Sequence, residues 1–210
     1  MQRWLLAAAL LSVPGFFSAS TAVPAERRIL IGIKPKTPEI SIVPRGAYTV
    51  VDSEGIVRQV PRRRLLLRPY GDGLKLGTWR LPAQARLKPQ SPEDAVEIEG
   101  TPYRGAIILR LDASGRTLTV IEEVAIEDYL LGVLPFEMEP NWPIEALKAQ
   151  AVVARTFAYT QLGKYRKDGY DLSTDTRSQV YGGRTDRSAS IKEAVDSTRG
   201  EVLGYKGEIV

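Results

Sequence analysis

Between residues 29 and 98 the chain consists of short β-forming runs, a pattern that excludes a purely helical fold. The runs are RILIGI, EISIV, AYTVV, GIVRQV and RLLLR, and they are separated by proline, glycine or Asp-Ser. Strands this short and this frequent predict a β-rich region with meander-like connections. The stretch from Lys88 to Gly100, which contains prolines and acids, is interpreted as a linker or a long loop.

Helical patterns begin after a predicted hairpin. Two β-forming runs within residues 103–123 flank the sequence DASG at 112–115, which suits a type I turn. Residues 126–132 predict a short helix that ends at a glycine. The longest helix is predicted over residues 143–162, because proline stands near its start and apolar residues recur on one face. Its small alanines allow close packing, so we expect this helix to be buried.

The last elements predicted are a helix over 191–199 and two short strands. Ser190 and Glu193 form a capping box for this helix, and a glycine follows its end. A strand over 201–205, a turn at Lys206-Gly207 and a returning strand over 208–210 complete the sequence. Because the returning strand stops almost where it begins, we expect the sequence to be incomplete at its C-terminus.

These patterns together predict an α+β fold. A β-rich N-terminal half with strands and hairpins is followed by a helical core that contains one long buried helix. The predicted divisions are a signal peptide at 1–25, a β-rich N-terminal region at 26–100 and a core at 101–210 that is incomplete at its C-terminus.

The first residues have the layout of a secretory signal. Arg3 precedes an apolar run, WLLAAALLSV, and small residues follow it as far as Ala25. Ten helical residues span only about 15 Å, which is too short for a membrane anchor. We expect cleavage after Ala22 or Ala25 and export of the mature protein to the periplasm, the cell wall or the medium, with no stable membrane span.

The absence of histidine and cysteine limits the chemistry of the chain. It excludes Ser-His-Asp triads, thiolate nucleophiles, Cys/His zinc sites and disulfides. Any catalysis must use carboxylates, hydroxyls, Lys, Arg or amides. The formal net charge of +4 is mild and interspersed, so it does not argue for nucleic acid as a partner. The basic cluster at residues 62–64 is interpreted as a solvated face, with contact to an anionic polymer as the alternative.

Glu137 is the carboxylate that best fits a catalytic role. It lies in a connection between two predicted helices and has apolar neighbours. The neighbours are Phe136, Met138 and Trp142. Apolar surroundings remove hydration and raise the pKa of a carboxyl group, which prepares it as a general acid. Glu145 is less suited, because in the first turn of a helix it is explained by the helix dipole.

Residues 130–158, LLGVLPFEMEPNWPIEALKAQAVVARTFA, resemble the signature of a known family. This is the stage II sporulation protein D / LytB amidase-enhancer domain family (SpoIID-like). Its further motifs follow in order, as YRG at 103–105 and QVYGG at 179–183. The resemblance covers roughly residues 29–210 and is strong from Tyr103 onward.

The resemblance implies a protein that acts on peptidoglycan. One branch of the family looks like lytic transglycosylases, which cleave peptide-stripped glycan strands to 1,6-anhydro ends through one glutamate. Relatives described as amidase enhancers are instead non-catalytic wall-binding proteins that stimulate an N-acetylmuramoyl-L-alanine amidase. The implied partners are glycan strands and, in the second case, a cell-wall amidase. A structural β-rich exported protein is a third alternative, and the family name does not imply that the host sporulates.

The resemblance places the catalytic glutamate of the family at Glu137. Candidate sugar-binding residues follow it in the sequence, with buried structural roles as the alternative for each. They are Gln150, Arg155, Gln179 and Tyr181. Some relatives bind zinc through His and Cys just before the Gln-x-Tyr motif, but this chain has Arg177 and Ser178 there. We therefore expect no metal and no other cofactor.

The predicted signal peptide can be tested on the exported protein. Mass spectrometry of the protein recovered outside the inner membrane should show an N-terminus at Val23 or Glu26, because small residues precede both positions. Recovery of chains with an intact Met1 from the membrane fraction would contradict the prediction.

Overall fold

The computed structural model describes Pro24, residues 27–183 and residues 188–210, and it has the predicted α+β class. Apart from Pro24, the predicted signal peptide lies outside the described residues. The strands are β1 (Arg28–Thr37), β2 (Ile40–Pro44), β3 (Tyr48–Val51), β4 (Val57–Val60), β5 (Leu65–Tyr70), β6 (Gly73–Leu76), β7 (Trp79–Leu81), β8 (Gln84–Pro89), β9 (Val96–Ile98), β10 (Thr101–Tyr103), β11 (Ala106–Leu111), β12 (Leu118–Ala125), β13 (Leu172–Ser173), β14 (Gly204–Tyr205) and β15 (Glu208–Ile209). The helices are α1 (Ile126–Glu137), α2 (Ile144–Thr160) and α3 (Ala189–Ser197). Within the described part of the chain, no helix is long and apolar enough to cross a membrane.

The strands form two main sheets that share one apolar core. The first has the order β13-β1-β12-β11-β8-β3-β4, and the second has the order β10-β9-β2-β5-β6-β7. Aliphatic side chains from both sheets pack in the same cluster as residues of α1, α2 and α3. Strand β1 pairs with β12 from Arg28 opposite Ala125 to Thr37 opposite Leu118. The first sheet therefore takes strands from both sides of residue 100, where the sequence predicted a division.

The predicted strands and hairpins are largely confirmed. The five early runs form β1 to β5, and the DASG turn joins β11 to β12. In that turn the Gly115 amide donates to the carbonyl of Asp112 at 2.8 Å, and Gly115 adopts a φ of 65°. The hairpin of β14 and β15 turns at Lys206 and Gly207, whose positive φ angles of 52° and 85° are those of a type I′ turn.

The stretch from Lys88 to Gly100 is not a linker. Strand β8 extends into it, and β9 pairs with both β2 and β10. Between these strands the carboxylate of Asp94 accepts hydrogen bonds from the backbone amides of Ala47, Gln90 and Ser91. Asp94, one of the acids that suggested a loop, therefore fixes the connection between β8 and β9.

The helices correct two expected boundaries. Helix α1 passes through Gly132 and Pro135 and ends at Glu137, because Gly132 does not adopt the left-handed conformation that ends a helix. Helix α3 is capped by the hydroxyl of Ser188, which accepts from the amide of Ile191 at 3.2 Å. The predicted cap, Ser190, donates its hydroxyl proton to the carbonyl of Pro140 at 2.6 Å. Helix α2 is confirmed as long, with one buried face.

A buried ion pair joins the helices. Arg155 of α2 has no exposed surface, and it contacts Glu127 of α1 through Nε–Oε1 at 2.9 Å and Nη2–Oε2 at 2.6 Å. Its remaining donors reach the carbonyls of Val195 and Glu201, while Glu127 also accepts from the amide of Gly200. This burial contradicts the predicted sugar contact of Arg155 and agrees with the alternative, in which the side chain holds neighbouring backbone.

A second buried carboxyl group lies on β12. Glu122 is fully buried, and it accepts from the amide of Gly105 and from the hydroxyl of Tyr181, each at 2.8 Å. Burial raises its pKa to about 7, although these hydrogen bonds oppose the shift. Glu122 therefore connects the centre of the first sheet to the segment after β13, at a cost to folding whenever it is ionised.

Replacing Arg155 with Met should strongly destabilise the fold. The change leaves the carboxylate of Glu127 buried without its cation, which typically costs about 3–5 kcal/mol. Urea unfolding monitored by circular dichroism gives the free energy of unfolding. Lys192→Met is the matched control, because its partner Asp196 lies on the exposed face of α3 and such pairs contribute about 1 kcal/mol or less. Equal losses in the two variants would show that the buried pair is not structural.

The pKa of Glu122 predicts a fall in stability as the pH rises. The unfolded chain releases this proton near its ordinary value of 4.5 and the folded chain near 7, so the folded state holds more protons between these values. The free energy of unfolding should therefore decrease across this window, by on the order of 3 kcal/mol. Glu122→Gln imitates the protonated group and should remove this decrease. Parallel urea titrations at pH 5 and pH 8 measure it, and an unchanged decrease in the variant would count against the assignment.

Candidate functional site

The C-terminal half of α1 packs tightly against the QVYGG segment. The carbonyl of Gly132 accepts from the amide of Gly182 at 3.1 Å. A Cβ atom at Gly132 would lie 2.3 Å from the carbonyl oxygen of Gly183, and one at Gly182 would lie 2.4 Å from the ring of Phe136. Only glycine permits contacts this close, so these positions bring the segment against the helix that carries Glu137.

A layer of tyrosine rings lies beneath this contact. The ring of Tyr181 packs against Tyr129 of α1 with a centroid distance of 4.9 Å and against Tyr103 at 6.2 Å. Tyr181 is 3% exposed, and its hydroxyl is bound to Glu122. The prediction that Tyr181 contacts sugar is therefore wrong for this structure, because its ring and hydroxyl are both engaged inside the protein.

The hydroxyl of Tyr129 connects α1 to Gln179, one of the predicted site residues. This hydroxyl donates to Oε1 of Gln179 at 3.3 Å. Burial raises the pKa of Tyr129, and the negative charge of Glu137 adds to the increase, so the carboxylate is within electrostatic reach of the phenol. Gln179 is largely buried and Gln150 is half-buried on α2, and their sugar contacts stay predictions.

Glu137 is the last residue of α1, and its side chain is exposed. The expectation that apolar neighbours bury it is wrong. Phe136 and Trp142 are themselves 56% and 48% exposed, so they do not form a buried apolar pocket for the carboxylate. Sequence reasoning named both rings but missed their exposure, because their direction depends on how the connection between α1 and α2 is held.

That connection is fixed at several points. The amide of Trp142 donates to the carbonyl of Glu139 at 3.2 Å, which closes a turn. The carbonyl of Pro140 accepts from the hydroxyl of Ser190 on α3. Glu145, at the start of α2, pairs with Lys148 at 2.8 Å. The exposed ring of Trp142 therefore lies on an ordered turn between two helices, and the ring of Phe136 lies on the last turn of α1.

The residues before the Gln-x-Tyr motif form a local polar network. Asp175 accepts from Nη2 of Arg177 at 2.7 Å and from the hydroxyl of Ser173 at 3.0 Å. The guanidinium of Arg177 lowers the pKa of Asp175 to about 2. The hydroxyl of Ser178 accepts from the amide of Ser173 at 3.1 Å. Arg177 and Ser178, the positions where some relatives carry zinc ligands, thus have protein partners here.

The chemistry available at this place is that of an accessible carboxyl group, Glu137, close in the sequence to two exposed aromatic rings. Aromatic rings offer flat apolar surfaces with some polarity at their edges. A carboxyl group can give and take a proton at an oxygen held close to it. A ligand that has both apolar faces and ether or hydroxyl oxygens, such as a sugar ring, matches both properties.

Comparison with known proteins shows which family this part of the chain resembles. The model of the family described as "Stage II sporulation protein" (SpoIID) matches residues 114–205, which include α1, α2 and the QVYGG segment. An uncharacterised protein of Brachyspira hyodysenteriae is 43% identical over 119 residues, which cover 56% of this chain and 32% of that protein.

Two named relatives come from Bacillus subtilis. An amidase enhancer is 38% identical over 127 residues, covering 60% of this chain and 17% of that protein. A stage II sporulation protein D is 31% identical over 103 residues, covering 42% of this chain and 30% of that protein. The chain thus spans about a third or less of the length of these relatives. The segment that carries Glu137 and the QVYGG motif therefore matches the SpoIID family, which confirms the resemblance predicted from the sequence.

Proposed function

We propose that this protein is an exported lytic transglycosylase that cleaves peptide-stripped glycan strands of peptidoglycan, with Glu137 as the catalytic residue. The observation that carries the proposal is the exposed carboxylate of Glu137 at the end of α1, with the exposed rings of Phe136 and Trp142 close to it in the sequence. The family relationship supports a role at the cell wall. The predicted signal peptide supports action outside the inner membrane, in the periplasm, the wall or the medium.

One carboxyl group is sufficient for this reaction. Glu137 donates its proton to the glycosidic oxygen while the bond from that oxygen to C1 of the muramic residue breaks. The resulting carboxylate then takes the proton of the C6 hydroxyl, whose oxygen bonds to C1. The product has a 1,6-anhydro end, no water is consumed, and Glu137 regains its proton. A hydrolytic glycosidase would need a second carboxylate about 5–9 Å from the first.

A bound sugar would exclude water from Glu137. In the free protein Glu137 is in contact with water. A sugar ring stacked on Phe136 or Trp142 would cover the carboxyl group and exclude water from it, which strengthens its interaction with the glycosidic oxygen. The tyrosine layer and the glycine contacts hold the end of α1 in place while the strand binds.

A second candidate function is enhancement of a cell-wall amidase without catalysis. It is favoured by the relative named amidase enhancer, which is 38% identical over 127 residues. In that case the exposed rings would bind the wall or the amidase, and Glu137 would have no chemical role.

The Glu137→Gln variant tests the proposed mechanism. Gln has the size and hydrogen-bonding ability of Glu but no titratable proton, so cleavage should fall by about 10²–10⁴-fold while strand binding persists. The assay uses the full gene product and glycan strands stripped of peptides. Mass spectrometry should find wild-type fragments with 1,6-anhydro ends, each lighter by one water than the hydrolysis product.

Glu54→Gln is the matched control, because it removes an exposed carboxylate from the turn between β3 and β4. It should cleave at the wild-type rate. Wild-type cleavage by Glu137→Gln would exclude Glu137 as the catalyst. If neither protein cleaves but both stimulate an amidase, the enhancer function is correct. Products of hydrolytic mass would require a second carboxylate, and Glu139 and Asp175 would be tested next.

A further inference from the structure

A basic cleft of about 410 Å³ lies at the start of α1, away from Glu137. Its floor consists of small residues, Gly105, Ala106 and Ala125, with the first turn of α1 contributing Asp128. Asp128 and Glu137 are separated by nine residues of helix, which corresponds to about 14 Å along the axis. The cleft and the Glu137 site therefore lie near opposite ends of the same helix.

The strand order of the first sheet brings cations to this cleft. Arg28 comes from β1, Arg86 and Lys88 come from β8, and Arg104 precedes β11. Arg86 and Lys88 are two residues apart on a strand whose exposed and buried positions alternate, so they point to the same outer face. Strands β12 and β11 lie between β1 and β8, and their small residues Ala125 and Ala106 leave the space that forms the cleft.

Carboxylates hold the three guanidinium groups in place. Glu123 of β12 contacts Nη2 of Arg86 at 2.5 Å and Nε of Arg28 at 3.9 Å. Glu93 contacts Nη1 of Arg104 at 3.1 Å. A guanidinium has five N–H donors, so Arg86 keeps donors for a ligand while its contact with Glu123 restrains its position.

Lys88 supplies a cation that has no carboxylate partner. The residues that line the cleft include four cations, Arg28, Arg86, Lys88 and Arg104, and one acid, Asp128. Lys88 makes no ion pair with any residue in the described parts of the chain. Its ammonium group therefore suits a ligand group that carries a negative charge.

We propose that this cleft binds a carboxylate of the peptidoglycan strand, held by the ammonium of Lys88 and by N–H groups of Arg86. The inference rests on the proposed action on glycan strands. The ionisable groups of such a strand are the carboxylates of its muramic residues, which are free where no peptide is attached, and those of attached peptides. Binding at this cleft would select for the charged polymer.

The test measures binding of glycan oligomers to the full gene product that carries Glu137→Gln, so that no turnover consumes the probe. Isothermal titration calorimetry compares oligomers with free muramic carboxylates and the same oligomers converted to methyl esters. The free acids should bind about ten-fold or more tightly than the esters, because an ester cannot form charge-assisted hydrogen bonds with the ammonium and guanidinium groups. Equal affinity for acid and ester would overturn the proposal, and this comparison needs no variant of the cleft.

A comparison of two double variants tests whether the preference for the free acid comes from the cleft. The double variant Arg86→Gln/Lys88→Gln should bind the free acid no better than the wild-type cleft binds the ester. Arg63→Gln/Lys206→Gln removes the same charge from exposed positions elsewhere and should leave the preference for the acid intact. If both double variants lose the preference equally, net charge and not the cleft explains it, and the proposal fails.

Peptide-bearing and peptide-free oligomers then distinguish the source of the carboxylate. Tighter binding of peptide-free strands assigns it to the muramic residue, and tighter binding of peptide-bearing strands assigns it to the peptide. If carboxylate-dependent binding is present but the wild-type protein never cleaves, the carboxylate-binding role of the cleft is supported and the proposed transglycosylase activity is wrong.

Discussion

The ion pair between Glu127 and Arg155 holds the helical half of this fold together. Both side chains are buried, and their remaining hydrogen-bonding capacity is taken by backbone groups at and after the end of α3. A guanidinium without solvent must satisfy its donors inside the protein, so this one residue determines how α1, α2 and the chain after α3 meet. Because α1 carries Glu137 at its end, the position of the candidate site depends on this pair.

Close packing at glycine positions, together with a hydrogen bond, holds the QVYGG segment against α1. Gly132, Gly182 and Gly183 each lie where a Cβ atom would overlap a neighbour. Tyr181 is anchored from below by Glu122, a carboxyl group that is only partly ionised near neutral pH. Under the proposed function, the motif residue Tyr181 acts through the framework of the site and makes no contact with the strand.

The two ends of α1 differ in chemistry. At its end lies an accessible carboxylate close in the sequence to two exposed aromatic rings, and at its start lies a cleft lined by more cations than acids. A polymer with apolar ring faces and regularly spaced carboxylates is complementary to both. A single enzyme site and a wall-binding surface can thus exist on one helix, which connects the transglycosylase function to the binding role of the alternative.

Local patterns were sufficient for most of the secondary structure. The short strands, the DASG hairpin, helix α2 and the Lys206-Gly207 turn were all predicted, because each depends on the conformational preferences of neighbouring residues. The motif around Glu137 was also visible, and with it the family. Residue types alone excluded histidine, thiol and disulfide chemistry.

Tertiary contacts decided what these patterns left open. Helix α1 continues past Gly132 because the QVYGG backbone packs there, and the segment before Gly100 pairs as β9 because Asp94 organises the turn before it. Arg155 and Tyr181 looked like ligand-binding residues until Glu127 and Glu122, distant in sequence, were found beside them. Glu137 and its aromatic neighbours are exposed for the same kind of reason. Whether a side chain faces solvent or the core depends on which distant elements pack around it, and no local pattern contains that information.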